Sequence, residues 1–243
     1  MNQKTLTYSA AGLAVVAALG YGIWSLKKRA GGSSPTGGAD SVDVGRYFDW
    51  QLGTGKAADA ARDLVSVPLV EVLGEDRVVP KLLKDMTFKD GVAAVTTKEN
   101  VFWSDGRGFE AKDVADAWDR ARAAQGAGTL PAPTAEESAW LEVVKVDVPG
   151  RYELRIGPLK DEAALRKFLG DRLLRPVRAD LLGDKGSDDA FKVTLGPYRP
   201  EAVATTFPQG SDVKFVGNSY YYQRPVTDAK AVKVNALMNG TGI

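Results

Sequence analysis

The sequence predicts an α+β domain behind an N-terminal membrane-spanning helix. Three observations carry this reading. Residues 5–26 contain no charged side chain. Farther on, short apolar alternations flank turn residues, the pattern of paired strands. Between them, Val114, Trp118 and Ala121 recur at spacings of four and three amid charged neighbours, the pattern of a half-buried helix.

The uncharged run, Thr5 to Leu26, has 22 residues. At about 1.5 Å per residue it reaches about 33 Å, enough to cross a bilayer core. Tyr21 and Trp24 stand near its end, where aromatic rings favour the interface. A cleaved secretory signal and a buried soluble helix are the competing readings. The run is long for a signal core, and Lys27-Lys28-Arg29 follows where a small-residue cleavage site is expected. The expectation is an uncleaved anchor over residues 1–29. Charge leaves orientation undecided. Lys4 and the amino terminus give about +2 before the run, and Lys27 to Arg29 give +3 after it.

Residues 30–41 are Gly/Ser-rich, without apolar periodicity, and read as a linker. The remaining residues, 42–243, are enough for one substantial core. Ala57 to Leu64 is helix-like. Val92 to Thr97 and Val101 to Trp103 read as strands joined by Lys98-Glu99-Asn100. Ala111 to Ala124 is a helix, and Gly126 to Pro133 breaks it. Glu142 to Val148 and Tyr152 to Ile156 form a hairpin about Pro149-Gly150. Asp161 to Leu169 is a short helix with Ala164, Leu165, Phe168 and Leu169 inward. Tyr198 to Phe207 and Val213 to Val216 make a second hairpin, and Val232 to Leu237 one more strand.

Composition narrows the chemistry. Among 243 residues there is no Cys and no His, so disulfides, thiol nucleophiles, Cys/His zinc sites and imidazole catalysis are excluded. Residues 1–29 carry +4, from Lys4, Lys27, Lys28 and Arg29. The rest has 28 basic and 31 acidic side chains, hence −3. A mildly acidic body lacks the basic footprint of a nucleic-acid binder.

Local motifs argue for structure rather than chemistry. Gly53-Thr54-Gly55-Lys56 resembles a phosphate loop, but the pattern needs Gly at position 50 and Ser or Thr at position 57. Trp50 and Ala57 stand there. The adjacent acids Glu136-Glu137 and Asp188-Asp189 do not point at one another and read as solvated charges. Asn239-Gly-Thr fits a glycosylation acceptor, a triplet common by chance. Tyr220-Tyr221-Tyr222 is either a packing cluster or a stacking platform for a ligand. No catalytic, cofactor or metal-binding residue is expected, and the ligand-binding residues are unassigned.

The stretch from Val101 to Arg120 reads Val-Phe-Trp-Ser-Asp-Gly-Arg-Gly-Phe-Glu-Ala-Lys-Asp-Val-Ala-Asp-Ala-Trp-Asp-Arg. It resembles a signature of the bacterial extracellular solute-binding proteins of family 5, the oligopeptide/dipeptide type. Trp103, Asp105, Gly106, Phe109, Ala111, Asp113, Val114 and Arg120 match in order. Glu110 stands where that family usually has Thr, a better N-cap. Val67 to Leu73 with Val79 to Leu83 resembles the family's early helix, turn and "Pro-x-Leu-Ala" segment. Val143 to Ile156 resembles its "Val-Asp-x-Tyr-x-Leu-x-Ile" hairpin. Leu195-Gly196-Pro197-Tyr198 resembles "Gly-Thr-Gly-Pro-Tyr", with Leu195 in place of the first Gly–Thr contact. Asn218 to Tyr221 resembles "Asn-Pro-x-Tyr-Trp".

The resemblance implies a single lobe of a periplasmic-binding-protein-like fold. Family members are commonly more than twice as long and close two lobes on a peptide. The sequence ends where the family crosses into its second lobe, so most of the first lobe is expected here. It further implies a non-enzymatic protein with its body on the periplasmic side; together with the anchor read from residues 5–26, the expectation is a single-pass protein of the inner membrane. Two roles follow. One is an accessory or docking subunit of a membrane-protein complex. The other is a shortened peptide-binding component of an ABC importer. Expected partners are the membrane, subunits of that complex and, in the second role, peptide; no cofactor or nucleic acid is expected.

Overall fold

The computed structural model describes residues 41–43, 49–54, 56–74, 77–182, 188–201, 206–208 and 212–233. The expected membrane helix, the linker up to residue 40 and Asn239 lie outside the described residues. Among the described residues, no helix is long and apolar enough to cross a membrane.

The central layer is an antiparallel sheet of β4 (Leu83–Lys89), β5 (Val92–Thr97), β7 (Glu153–Gly157) and β6 (Lys145–Gly150), in the order β4-β5-β7-β6. The alternation that marked these strands has a direct consequence. Ala93 and Val95 of β5, and Leu154 and Ile156 of β7, face inward and are buried; Ala94, Glu153 and Arg155 face outward. The hairpin expected about Pro149-Gly150 is present, with an irregularity in register between Asp147 and Gly150.

Helix α2 (Ala111–Gly126) covers the inner face. Its expected stripe of Val114, Trp118 and Ala121 is buried. The Trp118 indole donates to the Val144 carbonyl at 3.1 Å, satisfying its polar edge inside the core. Trp118 and Trp140 both meet Phe168 edge-on, at 4.9 and 5.3 Å between centroids. Trp140 belongs to α3 (Ala135–Val143) and Phe168 to α4 (Glu162–Gly170). Thr134 caps α3 by accepting from the Glu137 N–H at 3.0 Å, and Asp161 caps α4 by accepting from the Ala164 N–H at 2.8 Å. Leu165, Phe168 and Leu169 are inward as expected, whereas Ala164 is half-buried.

A smaller core joins α1 (Lys56–Val65) to a second sheet. Trp50, Leu64, Val65, Val177, Phe191, Val213 and Phe215 pack there. The sheet runs β11-β10-β8, from β8 (Tyr198–Pro200), β10 (Asp212–Gly217) and β11 (Ala229–Lys233). Two short pairs complete the fold: β2 (Val70–Leu73) with β3 (Arg77–Pro80), and β1 (Ser41–Asp43) with β9 (Thr206–Pro208).

Several expectations change. Val101 to Trp103 is not a strand following β5. Asn100 adopts φ +59°, which breaks the extended backbone, and Phe102 bridges only to Gly108. Tyr198 to Phe207 is not one strand: β8 pairs with β10, while Phe207 of β9 lies opposite Val42 of β1. Val67 to Leu73 contains strand β2 rather than a helix, and the last strand begins at Ala229, three residues before its expected start. Glu137 is not a solvated charge. It is 4% exposed and its carboxylate accepts from Arg172 Nε at 2.8 Å.

Candidate functional site

Three segments that are distant in sequence meet at one end of α2. The first is the loop from Val101 to Phe109. It closes on itself through Trp103 N–H to the Arg107 carbonyl at 2.8 Å, Gly106 N–H to the Trp103 carbonyl at 2.8 Å and Phe109 N–H to the Val101 carbonyl at 2.9 Å. Gly106 takes φ +87°, a left-handed conformation that glycine adopts without penalty. Asp105 sets the turn by accepting from the Arg107 N–H at 3.1 Å. Phe109 enters the core and is 1% exposed, plugging the entry to α2.

Asp113 secures this loop to α2. One carboxylate oxygen accepts from the Trp103 indole and from the Glu110 N–H, each at 3.0 Å; the other takes the Arg107 guanidinium. A carboxylate at N3 therefore reaches back to the start of the helix, the role a stronger cap than Glu110 would otherwise share. Burial pushes the Asp113 carboxyl above its ordinary value, against the pull of Glu110, Trp103 and Arg107.

The second segment carries Arg178, a residue sequence reasoning did not single out. Its guanidinium is buried and lies 5.9 Å from the Trp103 ring centroid. It donates to both oxygens of Asp180 at 2.7 Å and also to Asp105. The bonds to Asp180 do most to raise Arg178 above its usual value and hold the Asp180 carboxyl below the usual carboxylate range. No sequence spacing announced this cluster, since Arg178 and Asp105 are far apart along the chain.

The third segment joins two matched motifs. Ser104 N–H donates to the Thr194 carbonyl at 2.9 Å, and Thr194 N–H donates back to Ser104 Oγ at 3.1 Å. Asn218 N–H donates to the Pro197 carbonyl at 2.8 Å, and its Oδ1 accepts from the Tyr220 N–H at 2.9 Å. The three tyrosines therefore leave β10 through an Asn-centred turn and do not alternate along a strand. Tyr221 and Tyr222 pack against the main core, with rings edge-on at 5.3 Å. Burial pushes the Tyr222 phenol up to about 12. Tyr220 is 49% exposed and lies beside Gly106; Phe102, from the same loop as Gly106, is 39% exposed.

This surface is suited to contact rather than proton transfer. Asp105, Asp113 and Asp180 are each engaged by a guanidinium, and Ser104 Oγ accepts a backbone hydrogen bond. Among the described residues no group of three acids could hold a metal ion. Two open grooves lie elsewhere. One, of about 610 Å³, runs over the outer sheet face along Thr87, Lys89, Ala94, Thr96, Glu153 and Arg155. The other, of about 440 Å³, lies between α3 and α4 beside Val72, Trp140, Gly170 and Asp171.

The family's Arg at the end of the signature also finds its place. Arg120 grips Asp49, with contacts of 3.0 and 2.5 Å, and Gln51 Oε1 at 2.7 Å. It fastens the segment preceding α1 to α2. Gly53-Thr54 stands in the same segment. The Gly53 carbonyl accepts from Arg62 at 2.6 Å and the Gly53 N–H donates to the Asp49 carbonyl, so Gly53 belongs to a structural turn.

Comparison with known proteins agrees with this architecture. The model of the bacterial extracellular solute-binding proteins, family 5, middle region, matches residues 77–238. No curated protein matches the chain. Among solved structures, a periplasmic oligopeptide-binding protein from Borrelia burgdorferi is 16% identical with a TM-score of 0.61; the alignment covers 80% of this chain and 43% of that one. The periplasmic binding protein DppA of Helicobacter pylori, in complex with the peptide STSA, is 20% identical with a TM-score of 0.60, covering 76% and 40%. NikZ of Campylobacter jejuni, in complex with Ni(L-His), is 19% identical with a TM-score of 0.58, covering 79% and 39%. At these identities the likeness is one of fold, and the chain spans less than half the length of each. The family match over residues 77–238 and the meeting of its motifs around Trp103, Gly196 and Asn218 lead to one conclusion: the chain belongs to the bacterial extracellular solute-binding proteins of family 5.

Proposed function

We propose that this chain is a non-enzymatic, membrane-anchored extracytoplasmic lobe that serves as a docking subunit of a membrane-protein complex. The observation that carries the reading is the pairing of charge at the 101–109 surface. A free peptide brings an ammonium and a carboxylate, which need charged partners when they leave water. Here Arg178 is engaged by Asp105 and Asp180, and Arg107 by Asp113. What the surface presents instead is aromatic, through Phe102 and Tyr220. Exposed aromatic rings beside internally paired charge suit the centre of a protein–protein contact. The uncharged run 5–26 supports the anchor, and family membership supports an extracytoplasmic body.

A second reading has its own support. The solved relatives include proteins in complex with peptides. In this reading the chain is the peptide-binding component of an ABC importer, and a further wall encloses the ligand.

Purification of the tagged native protein in mild detergent separates the two. Docking predicts a stable complex with membrane proteins other than importer subunits, and no heat of binding with short peptides by calorimetry. Co-purifying permeases and ATPases would overturn it in favour of the importer. Orientation is read from intact spheroplasts. Added protease should cut between anchor and body, and a body that survives until lysis would place it in the cytoplasm.

A further inference from the structure

β4 is an outer strand of the central sheet, and among the described residues it pairs with β5 alone. The two strands are joined by the turn Asp90-Gly91, with φ +51° and +77°, the mirror-image turn of tight hairpins. In such a hairpin the residues flanking the turn exchange both backbone hydrogen bonds, and bonded pairs recur at every second residue. Lys89, Thr87 and Asp85 therefore give their backbone groups to β5, and Phe88 and Met86 turn theirs to the free edge. The Met86 N–H agrees with this: it donates at 2.8 Å to Oδ1 of its neighbour Asp85. Before Asp85 the edge is closed, because the Leu83 N–H is taken by the Leu69 carbonyl at 3.1 Å. The free edge thus runs from Asp85 to Lys89.

The pleat gives this stretch two unlike faces. Met86 and Phe88 are half-buried and pack against the main core. Asp85, Thr87 and Lys89 are exposed on the outer face. An acid and a base therefore stand at equal distances on either side of Thr87. Edge strands are usually blunted by charges that repel another copy. Opposite charges arranged about a centre do the reverse when a strand meets its own antiparallel image.

We propose that β4 pairs antiparallel with β4 of a second copy of the chain, about a two-fold axis at Thr87, so that two four-stranded sheets become one. This register opposes Met86 of each copy to Phe88 of the other. These are the residues with free backbone groups, so each N–H meets a carbonyl. On the inner face Met86 lies against Phe88, apolar on apolar. On the outer face Asp85 of each copy meets Lys89 of the other, with Thr87 against Thr87 between them. Moving the axis to Met86 or Phe88 shortens the pairing and sets each facing charge against Thr87 instead. The Asp85 carboxylate, which covers the Met86 N–H in the single chain, is released to Lys89 of the second copy. The Phe88 carbonyl of that copy takes its place. The contact is isologous and closes as a dimer. Its self-complementary charge is what selects a second copy over an unrelated strand.

Disulfide trapping in the full chain in detergent tests the register. The chain has no Cys, so each introduced thiol reports alone. Thr87→Cys places two thiols across a pair without mutual hydrogen bonds, about 4.5 Å apart between Cα atoms and within disulfide reach. Mild oxidation should give a covalent dimer. Asp85→Cys and Lys89→Cys should each stay monomeric alone, since the axis separates like positions by about 13 Å. Mixed together, those two variants should cross-link. By analytical ultracentrifugation, Lys89→Asp should raise the dissociation constant about tenfold or more, and adding Asp85→Lys to it should restore association. Absence of a covalent dimer from Thr87→Cys, or equal cross-linking of all three single variants, would overturn the proposal. So would unchanged association of Lys89→Asp, or no recovery in the double variant. If a charge variant does not fold, the cysteine set decides alone.

Discussion

Asn218 donates from its side-chain amide to the carbonyl of Gly196 at 2.8 Å. The bond joins two motifs that the sequence could only match separately. Asn218 is 1% exposed, and its Oδ1 takes the Tyr220 N–H. Both ends of the amide are therefore satisfied, and few other side chains offer a donor and an acceptor at this reach. Asn218→Ala strands a buried carbonyl and a backbone N–H. It should cost about 2–6 kcal/mol, given roughly 1–3 kcal/mol for each of the two stranded groups, measured by urea unfolding. Asn218→Asp should lose at least as much, because a buried carboxylate oxygen would face the Gly196 carbonyl in place of the amide donor. A smaller loss for Asp than for Ala would show that the acceptor for Tyr220 outweighs the donor to Gly196.

Gly196 is required by contact rather than by turn geometry. A Cβ there would lie 2.5 Å from the Leu64 carbonyl oxygen and 2.7 Å from the Ser66 nitrogen. The Gly196 N–H also donates to the Val65 carbonyl at 3.0 Å, so the end of α1 rests on this residue. The obstacle is backbone on both sides, and no side chain can swing away. Gly196→Ala should destabilise by about 3 kcal/mol or more, the upper range for overpacking. A midpoint within error of wild type would mean that α1 is free to shift away from β8.

What the sequence made legible was local. The spacing of Val114, Trp118 and Ala121 identified α2, because helical period and burial agree there. The start of α4 at Asp161 was readable because a helix entry is decided within a few residues. Long-range partners were not readable. Glu137 looked solvated because nothing beside it reveals Arg172, 35 residues onward. The Arg178 cluster was missed for the same reason: Asp105, which ties it to the loop, lies 73 residues away along the chain. The tyrosine run was open between packing and a stacking platform, because nothing within it shows that Asn218 turns the chain before it. The apolar run Val67 to Leu73 was matched to a helix segment, yet β2 finds its partner in β3 across a short connection. Pairing with a neighbour decided the outcome there, and periodicity within the run did not.

One indole ring stands in the main core between helices and sheet. Trp118 is 1% exposed, meets Phe168 at 4.9 Å and hydrogen-bonds the Val144 carbonyl at 3.1 Å. Trp118→Ala removes a large side chain packed against Phe168 of α4, and it strands the Val144 carbonyl. The expected loss is about 3–5 kcal/mol, with the cavity adding to the transfer cost. Trp118→Phe separates the parts, since it keeps much of the apolar volume but lacks the indole N–H. Its loss should be the smaller of the two and include about 1–3 kcal/mol for the unpaired Val144 carbonyl. Chemical denaturation of both variants, followed by far-ultraviolet circular dichroism, measures the difference. A loss below about 0.5 kcal/mol for Trp118→Ala is the size expected of a surface site. It would contradict the packing of α2 on the sheet.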